Sequence, residues 1–508
     1  MTKRRKPDTS GLRAMITGSN CFTDNLRTMF RRALRRPALF ALAVLMGCAA
    51  VVEPPGGRFG LNLFFARRFD PNADSAALDQ LTNVRDLHWV REEISLSEVA
   101  PAPEKRDFKK YDRAFGVLRS RGLYPLILIG DPPSWIRNDL ENQLPGLALE
   151  IVRRYYRCCS RHYQILNEVN ISRFWGAPPD PAAYARVLKA VYGSIKRKFP
   201  DATIVAAGIA TSDVLYFKDF VKAGGLDSAD AVAVHPYTFP YPFFGWEEQA
   251  FDEFHTMVGD MPLWVTELGW PSADHREGVT EEEQASDLTR AMLSLQRRGV
   301  EKIFWYDYRD DGRDPESLEA NYGLVRADNQ PKLAFRAFSI LMAGSRRYPT
   351  RRVVRTLTPV VEFADGFNYR YHAEDLRLGE AVLFSTPATL IGWNDPDHAC
   401  LSMDVEATYD DETEAEVRPD GILVGYELQD KNGAKIQGIF GRVYWTGDRS
   451  MVAPIRLRQT PVAPPLTPPI RLNGIFLQAS TLYGGGGLPD GVITISNLST
   501  CEYFLAGG

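Results

Sequence analysis

The feature that most constrains this chain is a rhythm. Eight short, apolar, β-rich runs alternate with amphipathic stretches: FGLNLFF from Phe59, DLHWVR from Asp86, LYPLILIG from Leu123, YQILNE from Tyr163, TIVAAG from Thr203, AVAVHPY from Ala231, PLWVTELGW from Pro262 and KIFWYDY from Lys302. Their starts lie about 27 to 40 residues apart, room for one strand and one helix each time. In PAAYARVLKAVYGSIKRKF, Tyr184, Val187, Leu188, Val191 and Ile195 fall on one helical stripe. Thr280 and Glu283 are spaced as a capping box, Gly299 sits just past the helix it opens, and PKLAFRAFSILMAG supplies a last helix to Gly344. Eight such units over residues 58–344 predict an α/β fold, a (β/α)8 barrel. An open doubly wound sheet would carry a Gly-rich phosphate turn after its first strand; here that run continues into FFARRFDP.

From about residue 345 helical periodicity disappears. Short runs such as CLSMDVEATY, GILVGYELQD, RLNGIFLQAS and GVITISN are separated by Asp, Gly and Pro turns, which predicts a C-terminal antiparallel β-sandwich over 345–508, divisible into two parts with the first near 345–395. TPVAPPLTPPI and the GGGG at 484–487 read as loops.

The N-terminus reads as an address. Residues 1–47 hold ten Lys/Arg and two Asp/Glu, a net of +8, and an apolar run from Ala38 to Met46 follows RRALRRP. That run is short of the roughly 20 residues that span a bilayer and follows the order of a signal peptide. It ends in Leu45-Met46-Gly47-Cys48, which resembles a bacterial lipobox. The expectation is export to the periplasmic side of a bacterial membrane, with lipid on Cys48; an uncleaved signal anchor or plain secretion are the rivals. Ala49 after Cys48 favours an outer-membrane address. A linker, 48–57, follows. Cys400 and Cys501 are candidates for a disulfide in an oxidising compartment, whereas adjacent Cys158 and Cys159 read as packing residues.

Charge and spacing exclude other classes. Outside the leader 50 basic residues face 62 acidic ones, a net of −12, unsuited to phosphate contacts, so no nucleic-acid partner is expected. With seven His and no C-x-x-C or H-E-x-x-H spacing, no metal site is expected.

Two glutamates stand where a barrel does chemistry, at strand C-termini: Leu166-Asn167-Glu168-Val169-Asn170 after the fourth run and Thr266-Glu267-Leu268-Gly269-Trp270 after the seventh. Two carboxyls about 5 Å apart are the arrangement of a retaining glycosidase, one protonated and one ionised. With Asn-Glu on strand four and Glu on strand seven, residues 58–344 resemble the clan A glycoside hydrolases. Within the clan the chain is similar to family 39, and in particular to endo-acting members encoded with biofilm exopolysaccharide genes, although Val169 stands where that family usually has proline.

The resemblance implies roles. Glu168 would be the acid/base, Glu267 the nucleophile, and Asn167 a partner of the sugar 2-hydroxyl. Arg91 would keep the nucleophile ionised and Tyr237 of His235-Pro236-Tyr237 would bond it; His235 in that motif is a candidate substrate-binding residue, with mere orientation of its neighbours as the rival. Trp305 would be the aromatic floor at the cleavage point, and Trp135 would line an outer subsite. Trp175, Trp246 and Trp270 on top-face loops suit a groove for a polymer. Each has a structural rival: a helix cap for either glutamate, pairing of Arg91 with Glu92 or Glu93, or packing for the aromatics. No cofactor is implied. The expected partners are a polysaccharide and, through the leader, a membrane. A non-catalytic polysaccharide-binding lipoprotein, or a transglycosylase using the same residues, are the competing functions. The β-sandwich is expected to brace the barrel, since Trp393, Tyr444 and Trp445 form no obvious sugar platform in sequence.

Overall fold

The computed structural model describes residues 57–344 except 69–74, 242, 244–245 and 313, and in the C-terminal part 355–362, 367–371, 381–391, 399–409, 422–443, 447–455, 457, 465–479 and 491–505. The leader with Cys48, most of the linker, Trp393, Tyr444, Trp445 and the GGGG stretch lie outside the described residues, as does the side chain of Trp246.

Eight parallel strands close on themselves: β1 (Phe59–Asn62), β2 (Trp89–Ser95), β3 (Tyr124–Gly130), β4 (His162–Ile165), β5 (Thr203–Ala210), β6 (Ala231–His235), β7 (Leu263–Val265) and β8 (Lys302–Trp305). Each pairs with the next, and β8 returns to β1 with Gly60 opposite Phe304 and Leu61 opposite Trp305. The eight expected runs are these eight strands.

Side chains alternate along each strand, and here the alternation builds the site. Trp89, Tyr124, Leu126, Val205, Ala231, Ala233, Trp264 and Phe304 form one buried apolar cluster inside the barrel. Gly60 makes room for it: a Cβ there would lie 2.6 Å from the Phe304 ring. Two residues further along, the same inward face carries Asn62 after Gly60, Arg91 after Trp89, Gln164 after His162, His235 after Ala233 and Thr266 after Trp264, all buried. An apolar plug therefore supports a polar layer, and the polar layer supports whatever stands at the strand ends.

The opposite strand faces meet the helices in a larger core. The helix Pro181–Lys196 shows how sequence sets this packing. Asp180 accepts from the Ala183 N–H at its start and Pro181 occupies the first turn, where no donor is needed. Its stripe, Tyr184, Val187, Leu188, Val191 and Ile195, is buried as expected. The Tyr184 hydroxyl donates to Ile165 O (3.0 Å) and accepts from Ala207 N (2.6 Å), tying the helix to β4 and β5 directly beneath Glu168. The helix Glu281–Arg297 has the expected Thr280–Glu283 capping box, and Gln284 on it donates to Trp270 O at 2.8 Å. Among the described residues no helix is long and apolar enough to cross a membrane.

The C-terminal part forms two antiparallel sheets. One has β10 (Phe367–Tyr371), β17 (Gly491–Leu505), β12 (Ala399–Tyr409) and β15 (Gly447–Pro454) in that order, with β9 (Arg355–Glu362) also on β17. The other orders β11 (Ala381–Ile391), β16 (Ile470–Ala479), β13 (Ile422–Gln429) and β14 (Lys435–Val443). One apolar cluster takes Leu401 and Met403 from β12 and Ile493 and Ile495 from β17. It takes Val424, Tyr426 and Leu428 from β13, the period-2 pattern of a half-buried strand. The expected separate first part does not form a sheet of its own: β9 and β10 pair with β17, and β11 pairs with β16. The strand β15 had no apolar alternation to announce it. Cys400 and Cys501 face each other across β12 and β17 and are joined by a disulfide.

Candidate active site

The strand ends bring Glu168 and Glu267 together: one carboxylate oxygen from each, and one His235 ring nitrogen, lie within 4.8 Å of one another. Both carboxylates are buried, at 8% and 7% exposure, which leaves them open only toward the barrel mouth.

Arg91 organises the Glu267 side. Its buried guanidinium donates to Glu267 Oε1 (2.6 Å), Asn62 Oδ1 (2.9 Å), Gln164 Oε1 (2.8 Å) and Asn167 Oδ1 (2.9 Å). Arginine has only donors, so Asn167 must turn its carbonyl oxygen to Arg91 and present its NH₂ outward. Pairing of Arg91 with its neighbours does not occur: Glu93 meets Arg67 at 2.9 Å, and Glu92 accepts from the backbone N–H groups of Phe65 and Ala66. The Tyr237 hydroxyl donates to Glu267 Oε2 at 2.9 Å. Burial pushes the Glu267 carboxyl up, but the positive field of His235, when its ring is charged, and of Arg91, with the bonds from Tyr237 and Arg91, outweighs it and holds the group below the usual carboxylate range.

That depression fixes a sign. The stability Glu267 contributes is present above its unfolded-state pKa and is lost as pH falls through the lower folded value. In Arg91→Met the burial effect loses both the charge and the hydrogen bond that Arg91 sets against it, and the carboxyl rises. The acid limb of the kcat/KM profile is expected to move to higher pH by about one unit or more; an unmoved limb would show that Arg91 does not govern ionisation of Glu267.

Glu168 is held differently. His235 Nδ1 lies 2.8 Å from its Oε1, and its backbone N–H donates to Gly208 O at 3.0 Å. Leu166 and Glu168 have φ of 64° and 40°, left-handed values that side chains rarely adopt and that the surroundings must impose. Asn170 helps to do so: its amide donates to Ala210 O (3.1 Å) and Asp213 Oδ2 (3.3 Å), and its oxygen accepts from Ala210 N (2.9 Å). Gly208 on β5 seats His235, since a Cβ there would stand 1.9 Å from Nε2 and 2.5 Å from two ring carbons. Gly208→Ala is therefore expected to displace the imidazole. It should lower kcat by at least about tenfold while costing only about 1–3 kcal/mol of stability; paired turnover and thermal-melt measurements check this.

Two aromatic assignments are corrected. Trp305 is not a floor for a sugar. It has no exposed surface and stacks on Trp270 at 6.0 Å between the strands and the helices. Phe304 points into the barrel, so its neighbour Trp305 must point out, and the next inward aromatic is Tyr306. Tyr306 joins Phe64, Tyr237 and Tyr322 at ring-centroid distances of 5.3 to 6.2 Å, and Phe239 packs on Tyr237 and Tyr322. Its hydroxyl donates to Glu319 at 2.8 Å. Trp270 is also fully buried, with its N–H on Tyr241 O at 2.7 Å, and lines no groove. Trp135 is half-buried after β3 with its N–H on Ala100 O, and Trp175 is half-buried after β4, edge-on to Tyr184.

Glu168, His235 and Glu267 are also the kind of donor set that gathers round a cation. Their atoms are already committed, however: Glu267 to Arg91 and Tyr237, Glu168 to His235, and His235 Nε2 to Thr266 Oγ1 at 2.9 Å. A guanidinium 2.6 Å from one carboxylate also opposes a second positive charge there.

Two facing carboxylates at the ends of β4 and β7, one held ionised by arginine and tyrosine, follow the pattern of the clan A glycoside hydrolases. The chain agrees with this over the segment that carries both: residues 159–338 match the family described as glycosyl hydrolase catalytic core. Among solved structures the chain is similar to a family 39 glycoside hydrolase from the gut symbiont Bacteroides cellulosilyticus WH2, at 20% identity and a TM-score of 0.49 over 78% of this chain and 80% of that one. It is also similar to the GH39 enzyme of Xanthomonas axonopodis pv. citri (12%, TM-score 0.45, 89% and 96%) and to a GH5_18 enzyme of Streptomyces cattleya (18%, TM-score 0.48, 58% and 82%). No curated protein matches the chain.

Proposed function

We propose that this protein is a retaining glycosidase, endo-acting on a bacterial exopolysaccharide, exported and tethered by lipid at Cys48. The observation that carries the mechanism is the approach of the two carboxylates to within 4.8 Å, which favours direct attack over the water-filled gap that inversion requires. Glu267, ionised, attacks the anomeric carbon while Glu168 passes its proton to the leaving oxygen. The resulting glycosyl ester is opened by water, from which Glu168, now a base, removes the proton. Asn167, with its NH₂ turned outward by Arg91, bonds the 2-hydroxyl, and Tyr306 offers the face on which the sugar stacks. A sugar acceptor in place of water gives transglycosylation by the same residues. A binding protein has no use for a second carboxylate held ionised, which disfavours the non-catalytic reading.

Endo action is supported by the likeness to exopolysaccharide-locus enzymes. Export is supported by the leader and by the Cys400–Cys501 disulfide, a bond of oxidising compartments. We read the two C-terminal sheets as a sandwich that braces the barrel. The Tyr241 hydroxyl donates to Gln437 O of β14 at 3.1 Å while Tyr241 O holds Trp270, so the sheets reach the loops that carry Tyr237 and Glu267. The test is the count of new reducing ends from a panel of bacterial exopolysaccharides and plant glucans, with Glu267→Gln alongside. New ends that vanish in the variant establish cleavage, and a ladder of long products establishes endo action. Tight binding without cleavage, unchanged in the variant, refutes the reading.

A further inference from the structure

We propose that Gln164 and Thr266 are positioning residues that lock His235 as a hydrogen-bond donor to Glu168. Donors run through four buried contacts from Arg91 to Glu168, and the proposal rests on the acid/base role given to Glu168 above. Arg91 Nε has only a hydrogen to give, so Gln164 Oε1, 2.8 Å away, accepts it. The Gln164 amide nitrogen must then face the other way, where it donates to Thr266 Oγ1 at 3.1 Å and to Ala206 O at 3.4 Å. Thr266 Oγ1 thus receives one hydrogen, which leaves it one lone pair and one hydrogen of its own. His235 Nε2 lies 2.9 Å from it, and because the ionised Glu168 carboxylate can only accept from Nδ1, a neutral ring takes the Thr266 hydrogen at Nε2. A neutral imidazole that accepts at Nε2 carries its proton on Nδ1, and Nδ1 is the atom 2.8 Å from Glu168 Oε1. Gln164, Thr266 and His235 have essentially no exposed surface, so water does not compete for these bonds.

The direction matters for the chemistry. With Nδ1–H always donating to Oε1, the acid proton of Glu168 is confined to Oε2, the oxygen free to reach the leaving group. The same N–H stabilises the carboxylate left when the proton departs. Were the ring to carry its proton on Nε2, a bare Nδ1 lone pair would face Glu168 and draw the acid proton toward itself. The starting point of the relay is also shared. Arg91 orients Gln164 through Nε and holds Glu267 through Nη1, so one side chain sets both carboxylates.

The test uses the full chain and two independent readouts. Side-chain nitrogen NMR of the wild-type protein, with the His235 signal assigned by its loss in His235→Asn, should show a protonated Nδ1 and a bare Nε2 in the neutral ring. The opposite tautomer overturns the proposal whether or not any glycoside is cleaved. Thr266→Val keeps the shape and removes the hydroxyl. It should lower kcat for a glycoside with a poor leaving group by about 10–100-fold, a part of what general acid catalysis supplies, with KM unchanged. An activated aryl glycoside, whose departure needs no proton, should react at nearly the wild-type rate. Thr266→Ser should restore both. Equal losses on both substrates would show mere structural damage and refute the relay. A wild-type enzyme without turnover on either substrate would instead refute the glycosidase reading and leave the tautomer measurement to decide the relay.

Discussion

Glu267→Gln is expected to lower kcat on any substrate by about 10⁴–10⁶-fold, the scale seen when a nucleophile is removed from a working constellation. Glutamine keeps the shape and an acceptor for Tyr237, but its amide is too weak a nucleophile to form the ester. The variant also withdraws the negative partner of a guanidinium that is only 2% exposed. Breaking such a pair costs up to about 3–5 kcal/mol, so a melting curve must accompany the kinetics. A folded, inactive variant supports the assignment. The sharper version is Glu267→Ala with azide. An anion small enough to enter the vacated space attacks the anomeric carbon directly and gives a glycosyl azide of inverted configuration. Retained configuration in that product, or unimpaired hydrolysis in either variant, would remove Glu267 from its role.

Glu168→Ala should behave in the opposite sense. Loss of the proton donor should slow the ester-forming step by about 10²–10⁴-fold on a poor leaving group and little on an activated one. Ester formation by Glu267 then continues, but no base activates water, so the intermediate accumulates as a burst followed by slow turnover. Azide needs no base, and here its product should keep the substrate configuration because two displacements have occurred. The two alanine variants thus yield azides of opposite anomeric form from one substrate. Identical products would mean that the two carboxylates do not divide the labour as assigned.

Much of this was legible in the chain. The eight runs from Phe59 to Tyr308 announced a barrel because each strand had to be apolar enough to be buried on both faces, and strand C-termini then pointed to Glu168 and Glu267. Arg91, Asn167, His235 and Tyr237 stand within hydrogen-bonding reach of the pair or of one another. The polar layer was within reach of sequence too. Stepping by two from each inward aromatic, Trp89 to Arg91, Trp264 to Thr266 and Phe304 to Tyr306, finds it, and the same step rejects Trp305.

What sequence determined by itself was local: which segments alternate with period 2 or 3.6, where helices are capped, and which carboxylates end a strand. Those properties depend on residues a few positions apart, and their physics is complete within a short window. Only the tertiary structure decided what those residues do to one another. Gly208 is a seat for His235 only because β5 lies beside β6, and Gln164 speaks to Thr266 across 102 residues of chain. Trp270 is buried because Trp305 turns outward to stack on it. Closure of the barrel converts eight separate alternations into one interior, and the identity of each neighbour in that interior is set by register, which no window of sequence contains.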